Sequence, residues 1–531
     1  MKSLKSLSCN LLLLLFTLNL SASDKYPRNF NIDILHYLFT LDINDSTNTI
    51  RGEATIAVRI VNSCSTISLD LKSVTQDGKG MNVVKVLCNG SDLKWEHSGE
   101  RLVIFPAETF TKDDTVNLQI NYYGIPADGL IISRNRFGDR TFFSDHWPDR
   151  AHNYLPCIDH PYDKAPVEFR IISPERCKVV SNGLLLSESA QDKHRKLSVW
   201  NEEKPLPVKV MAFGAAAFSV EESSNINGIP VTTWVFPQNR AEGFYDYSVA
   251  GKPLQYYTNL IGKYPFGKLA NVQSKTIYGG LENASAIFYA ERSVTGLGRA
   301  EKLIAHEIAH QWFGDCVTES DWHHVWLSEG FATYLTSMYF EYYKGSDELK
   351  ADLDSTRKRI IAYTLDDPKP LIDENETNLM ELLNVNSYQK GAWVLHMLRN
   401  ELGDEQFSKG LKLFFEKNTY SNVLSSDFES AMEEVSGRNL DQFFRQWLYY
   451  TGNPVLEIRN YTKKNSSVLV IWQKQKDKFV FPIELMVQSE NRNEVLKFDI
   501  KKRVTKIKID RTISSVVPDP GVKLLFQYKM R

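Results

Sequence analysis

The chain has 531 residues, more than one hydrophobic core usually organises, so two to four domains are expected. With 42% hydrophobic and 24% charged residues, its composition is that of a globular protein and argues against wholesale disorder. A net charge of −2, a pI near 6.6 and the lack of a basic block argue against a nucleic-acid or other polyanion partner.

At the start, Lys2 and Lys5 precede the apolar run Leu11 to Phe16, and Ser21-Ala22-Ser23 follow. This is the layout of a secretory leader, so residues 1–23 are read as a signal peptide, with an uncleaved anchor as the alternative, and the mature chain as secreted or periplasmic. The run is short for a bilayer, and no other long apolar segment occurs, so the mature chain is expected to carry no membrane span. Cys9 leaves with the leader. The remaining Cys64, Cys88, Cys157, Cys177 and Cys316 are odd in number, which leaves at least one free thiol. Cys64 with Cys88 and Cys157 with Cys177 are the candidate pairs after export.

From residue 24 to 222 the pattern is short alternating runs such as HYLFTLDIN, RGEATIAVRIV, VNLQINYYG and PVEFRII, broken by Asn, Asp, Gly and Pro. Period-two runs of this kind predict an antiparallel, β-sandwich-like domain. From 223 to 450 the period changes. After the strand-like VTTWVFP and ANVQSKTIY, the segments EKLIAHEIAHQWFG, EGFATYLTSMYFEYYK, KGAWVLHMLRNEL and DFESAMEEV carry apolar residues at helical spacing. From 451 to 531, beyond TGNP, alternation returns in SSVLVIWQ, KFVFPIELMV, EVLKFDI and VTKIKID, which predicts a small C-terminal β-sandwich. The fold class is therefore multidomain α+β, with a mostly helical middle domain between two β-domains.

Within the first helical segment stands His306-Glu307-Ile308-Ala309-His310. Positions i and i+4 share one helix face, so both imidazoles can address one ion, and zinc accepts nitrogen at about 2.0–2.1 Å. Glu307 is adjacent but on a different line, suited to take a proton from water beside the metal. A catalytic zinc needs a third protein ligand, and Glu329 in WLSEGFATY follows His310 after eighteen intervening residues, at the head of a second helical pattern. Taken alone, the motif also fits two core histidines, and Glu329 a glutamate favoured by a helix dipole. His323 and His324 compete for the third place, but their aromatic surroundings suit a core or supporting role.

These residues resemble the zinc aminopeptidase family of aminopeptidase N and leukotriene hydrolase, the gluzincin metallopeptidases. Three stretches carry the resemblance in order: YGGLENASAIFY at 278–289, HEIAHQWFGD with the glutamate of WLSEGFATY, and SYQKGAWVLHML at 387–398. The resemblance covers essentially the whole mature chain, and implies that the middle domain is thermolysin-like. It further implies that His306, His310 and Glu329 hold one zinc per chain, that Glu307 is the general base and that Tyr388 hydrogen-bonds the oxyanion. Glu282 would bind the free α-amino group of a peptide, and Gly279 and Gly280 its backbone. Tyr278, Leu281 and Asn283 belong to the same substrate-binding motif. Peptides with a free N-terminus would be the substrates; the oligomeric state is not implied.

Three departures from the family pattern stand out. Leu281 replaces the usual methionine, an apolar exchange of similar volume that a pocket wall tolerates. The glutamine or glutamate that usually serves as a second amine anchor before a Pro-Cys-x-Asp-x-Pro stretch is missing before LPCIDHP at 155–161, where Asp145 and Asp149 are the available acids. The large helical C-terminal domain of many members has no counterpart after the small β-domain, so a less enclosed cleft is expected and epoxide hydrolysis is not. The rival functions are a thermolysin-like endopeptidase, against which Glu282 speaks, and a catalytically silent peptide-binding relative, against which Glu307 and Tyr388 speak.

Overall fold

The computed structural model describes residues 24–366, 368–489 and 492–531, so the proposed leader lies outside it. The alternating runs of the first region become an eight-stranded sheet whose centre is formed by Ile32–Asp42, Ile50–Ile60 and Thr115–Ile125. Along these strands every second side chain is buried, as a sheet with one covered face requires, apart from one irregularity at Leu35–His36 in the first. A three-stranded and a four-stranded sheet complete the region and share its apolar core, where Tyr37, Phe39, Ile56, Leu69 and Ile104 are buried. One pairing departs from the expected antiparallel order. Ile32–Asp42 runs parallel to Ala165–Pro174, with Tyr37 opposite Val167, because a long stretch of chain separates the two and no hairpin constrains their direction.

The middle region opens with a five-stranded sheet in the order Ser219–Ile226, Ile229–Val235, Leu269–Ser274, Ala286–Ala290, Gly280–Leu281. Gly280–Leu281 is one of its two edge strands. Helices follow, of which three position the site: Glu301–His310, Trp326–Lys344 and Gly391–Leu402. The closing region is a sandwich of a four-stranded and a three-stranded sheet. It is tied to the helices by Arg357 to Asp519 at 2.8 Å and by His396 to the Val522 carbonyl at 3.0 Å. The first and middle regions are joined by the fully buried ion pair of Lys209 and Glu319. No helix among the described residues is long and apolar enough to cross a membrane.

Candidate active site

The HEIAH segment lies on the helix Glu301–His310, and Glu329 sits in the first turn of Trp326–Lys344, which packs alongside it. The Nε2 atoms of His306 and His310 are 3.2 Å apart, and each lies 3.4 Å from Glu329 Oε2. Ligands bound tetrahedrally at 2.0–2.1 Å stand about 3.3 Å from one another, so the three atoms are spaced to share one zinc ion. Glu329 Oε2 is buried without a hydrogen-bond donor, as an atom reserved for a cation would be. The other ring nitrogen of His310 faces the Phe313 carbonyl at 3.3 Å and Ser328 Oγ at 3.0 Å. Donation from Nδ1 to that carbonyl turns the Nε2 lone pair toward the shared point. Burial opposes charge on both imidazoles. It lowers His306, whereas the facing Glu329 carboxylate overcomes it at His310 and raises that group to about 10.

Around this centre lies a cavity of about 230 Å³ whose wall includes Trp147, Tyr278, Gly279, Gly280, Leu281 and Glu282 on one side. Glu307, Leu303, Leu383 and Tyr388 complete it. Burial raises the Glu307 carboxyl well above the usual carboxylate range. Tyr388 occupies the short π-helical turn Asn386–Lys390, its ring stacked on His306 with centroids 6.1 Å apart. Burial, with the Glu329 and Glu282 carboxylates, raises its hydroxyl well above the ordinary phenol, so it remains a donor. Glu282 is 5% exposed, and its Oε1 has no protein partner.

Two glycines fix how closely these parts approach. A Cβ on Gly280 would overlap the carboxylate of Glu307. A Cβ on Gly330 would lie 2.9 Å from Gly391 Cα, so the helix bearing Glu329 approaches the segment bearing Tyr388 this closely because both positions are glycine.

The loop that carries Glu282 is gripped from two sides, by Gln311, which the sequence did not single out, and by Asp145, whose sequence reading was a spare amine anchor. Gln311, directly after His310, donates to the Glu282 carbonyl at 2.9 Å and accepts from Ser285 N at 2.7 Å. Asp145 of the first region accepts from Thr276 Oγ1 at 2.9 Å and Ile277 N at 3.2 Å, and pairs with Arg150. Its carboxylate is thereby consumed in holding the loop, and neither Asp145 nor Asp149 lines the cavity. The first region instead contributes Trp147, which meets Tyr278 edge-on at 6.5 Å. A polar residue two before a tryptophan gives no signal of such a clamp without its spatial partner.

Among the predicted substrate residues, Tyr278, Gly279, Gly280, Leu281 and Glu282 reach the cavity. Asn283 does not: it is 1% exposed, and neither its Oδ1 nor its Nδ2 has a hydrogen-bond partner. The competing histidines point elsewhere, His323 to Asp321 and the Glu376 carbonyl, His324 to Ser425. All five described cysteines are free, so neither candidate disulfide is formed in this structure.

Comparison with known families decides the kinship. The model of the peptidase family M1 domain matches residues 245–447, and that of the peptidase M1 N-terminal domain matches residues 34–208. The chain belongs to peptidase family M1. Among relatives of this M1 chain, the probable aminopeptidase 2 of Sulfurisphaera tokodaii is 28% identical over 403 residues, covering 72% of this chain and 51% of its own. The alanine/arginine aminopeptidase of Saccharomyces cerevisiae is 25% identical over 469 residues, covering 82% and 53%. The glutamyl aminopeptidase of Bos taurus is 28% identical over 333 residues, covering 60% and 35%. The M1 chain thus spans about half the length, or less, of the curated relatives it matches.

Proposed function

We propose that this M1 chain is an exported zinc aminopeptidase that hydrolyses the first peptide bond of peptides with a free N-terminus. The observation that carries it is the placement of Glu282, with an unpartnered buried oxygen, in the same cavity as His306, His310 and Glu329. A carboxylate there stabilises a substrate ammonium only when the scissile bond is the first one, since an internal amide carries no charge.

His306, His310 and Glu329 would hold the zinc, which when bound supplies Lewis acidity that acidifies water and polarises a carbonyl. Glu307 takes a proton from the attacking water and delivers it to the leaving amine. The Tyr388 hydroxyl donates to the oxygen on which negative charge develops, a contribution of about 2.7–4 kcal/mol for one such donor in other hydrolases. Gly280–Leu281, an edge strand, offers free backbone groups to an extended peptide. Glu282 fixes the amino end and so the register of cleavage. Export is part of the proposal and rests on the leader-like residues 1–23.

A panel of aminoacyl chromogenic substrates, assayed with and without a chelator, tests this directly. Chelator-sensitive cleavage of free-amine substrates is expected; activity confined to internal bonds would favour the thermolysin-like alternative.

A further inference from the structure

Asp24 is the first residue after the proposed leader, and it is built into the protein rather than left at the surface. It is 8% exposed, and its backbone nitrogen donates to Asp321 Oδ2 at 2.9 Å. Its own Oδ2 accepts from Trp322 N at 3.0 Å, from Arg28 Nη2 at 3.0 Å and faces His160 Nε2 at 2.8 Å. Arg28 also reaches Asp321 Oδ2 at 3.1 Å and the Ser320 carbonyl at 3.3 Å. Asp321 Oδ1 takes the His323 amide at 3.0 Å and faces the His323 Nδ1 at the same distance. Tyr26 stacks on His160 with centroids 4.5 Å apart and closes the cluster. Two nearly buried carboxylates therefore share one guanidinium, with His160 and His323 beside them.

While residue 23 remains attached, the Asp24 nitrogen is a neutral amide. We propose that removal of the leader at Ser23–Asp24 turns this nitrogen into an ammonium for which Asp321 is the buried receptor, so that the processed N-terminus braces the active-site wall from inside. The step is a hydrolysis by a leader-removing protease. Water adds across the peptide bond, a carboxylate leaves on Ser23, and the protonated amine stays on Asp24. The new cation faces the Asp321 oxygen that Arg28 already shares, and a buried carboxylate gains most from a cation held at hydrogen-bond distance.

The link to the site is short. Residues 321–325 lead straight into the helix Trp326–Lys344 that presents Glu329. Trp322, held by its amide to Asp24, lays its ring against Trp147 at 5.4 Å, and Trp147 lines the cavity. Docking thus ties the amino terminus, the metal-bearing helix and the substrate wall together. The proposal rests on the leader reading but not on the reaction.

The test compares full mature chains that begin at Asp24 with chains carrying a Gly-Ser dipeptide before Asp24, each with and without Asp321→Asn. The extended chain keeps the amide hydrogen bond and loses only the charge. It is expected to melt at least about 3 °C lower than the authentic chain, with a severalfold lower kcat/KM. With Asp321→Asn the extension is expected to change little, because the receptor is gone. An extension that costs nothing, or costs the same with either residue at 321, overturns the proposal. Should Asp321→Asn not fold, acylation of the α-amine in the authentic chain, read by mass spectrometry, decides. Protection of at least tenfold relative to the unfolded chain supports docking, and equal reactivity overturns it. Intact mass of the exported full-length product checks the premise separately, since a mature chain beginning elsewhere removes the receptor's ligand. Loss of peptidase activity in every form would leave the melting comparison valid.

Discussion

The Glu307 carboxylate lies where a side chain on Gly280 would begin. The proposed base and the edge strand proposed to hold the peptide backbone are therefore in contact, and nothing larger than hydrogen fits between them. Gly280→Ala must move one of the two. We expect kcat/KM to fall by about a hundredfold, the scale of a 1 Å misplacement in an active site, with zinc content unchanged. Activity within twofold of wild type would show that the contact does not matter.

Glu307→Gln should keep the metal and lose nearly all turnover, because an amide cannot take a proton from water and Glu307 is outside the ligand set. Tyr388→Phe keeps the ring against His306 and removes only the donor, so kcat should drop by roughly a hundredfold or more with KM little changed. Zinc loss in the first variant, or an unaltered kcat in the second, would reassign these residues.

Asp145 touches Thr276, Ile277 and Arg150 but does not line the cavity. As a positioning residue it should act through Glu282. Asp145→Ala is expected to raise KM for free-amine peptides by about tenfold, the worth of a charge-assisted hydrogen bond, while zinc stays bound. A variant with normal KM would mean that the Gln311 grip alone holds the loop.

Lys390 is fully buried, its Nζ donating to the Gly452 carbonyl at 3.1 Å, and burial pushes it down to about 7. Between pH 7 and about 10 the unfolded chain holds a proton on this lysine that the folded chain has released, so stability rises with pH through that window. Lys390→Met abolishes this contribution. The melting temperature of the variant minus that of wild type should therefore be most favourable near pH 7 and decline toward pH 10. A difference that is flat with pH would mean that Lys390 stays protonated when folded.

Much of this architecture was legible because it rests on periodicity. The alternating runs and the apolar helical segments required only that each residue's neighbours along the chain set its environment. The HEIAH face and the carboxylate of Glu329 were legible because helix geometry converts spacing into proximity. Other features depend on distant partners. The helix Ser346–Asp366 is too charged to announce an apolar face, and the π-helical turn that aims Tyr388 has no sequence signature. Asp145 looked like a spare anchor for an amine, yet its Oδ2 is spent on Thr276 and Ile277, residues far along the chain, and its Oδ1 on Arg150. Asn283 sits inside the motif, but it is buried away from the cavity that its neighbours line.

The central claim is that Glu282 recognises a free amino terminus beside the metal site. The most direct measurement is kcat/KM for one peptide with a free amine and for its Nα-acetylated twin, in wild type and in Glu282→Ala. Wild type should cleave the free peptide and ignore the acetylated one. Glu282→Ala should lose about ten- to more than a hundredfold on the free peptide at normal zinc content, with the gap between the two peptides narrowed. Equal cleavage of both peptides by wild type would contradict the account and favour an endopeptidase.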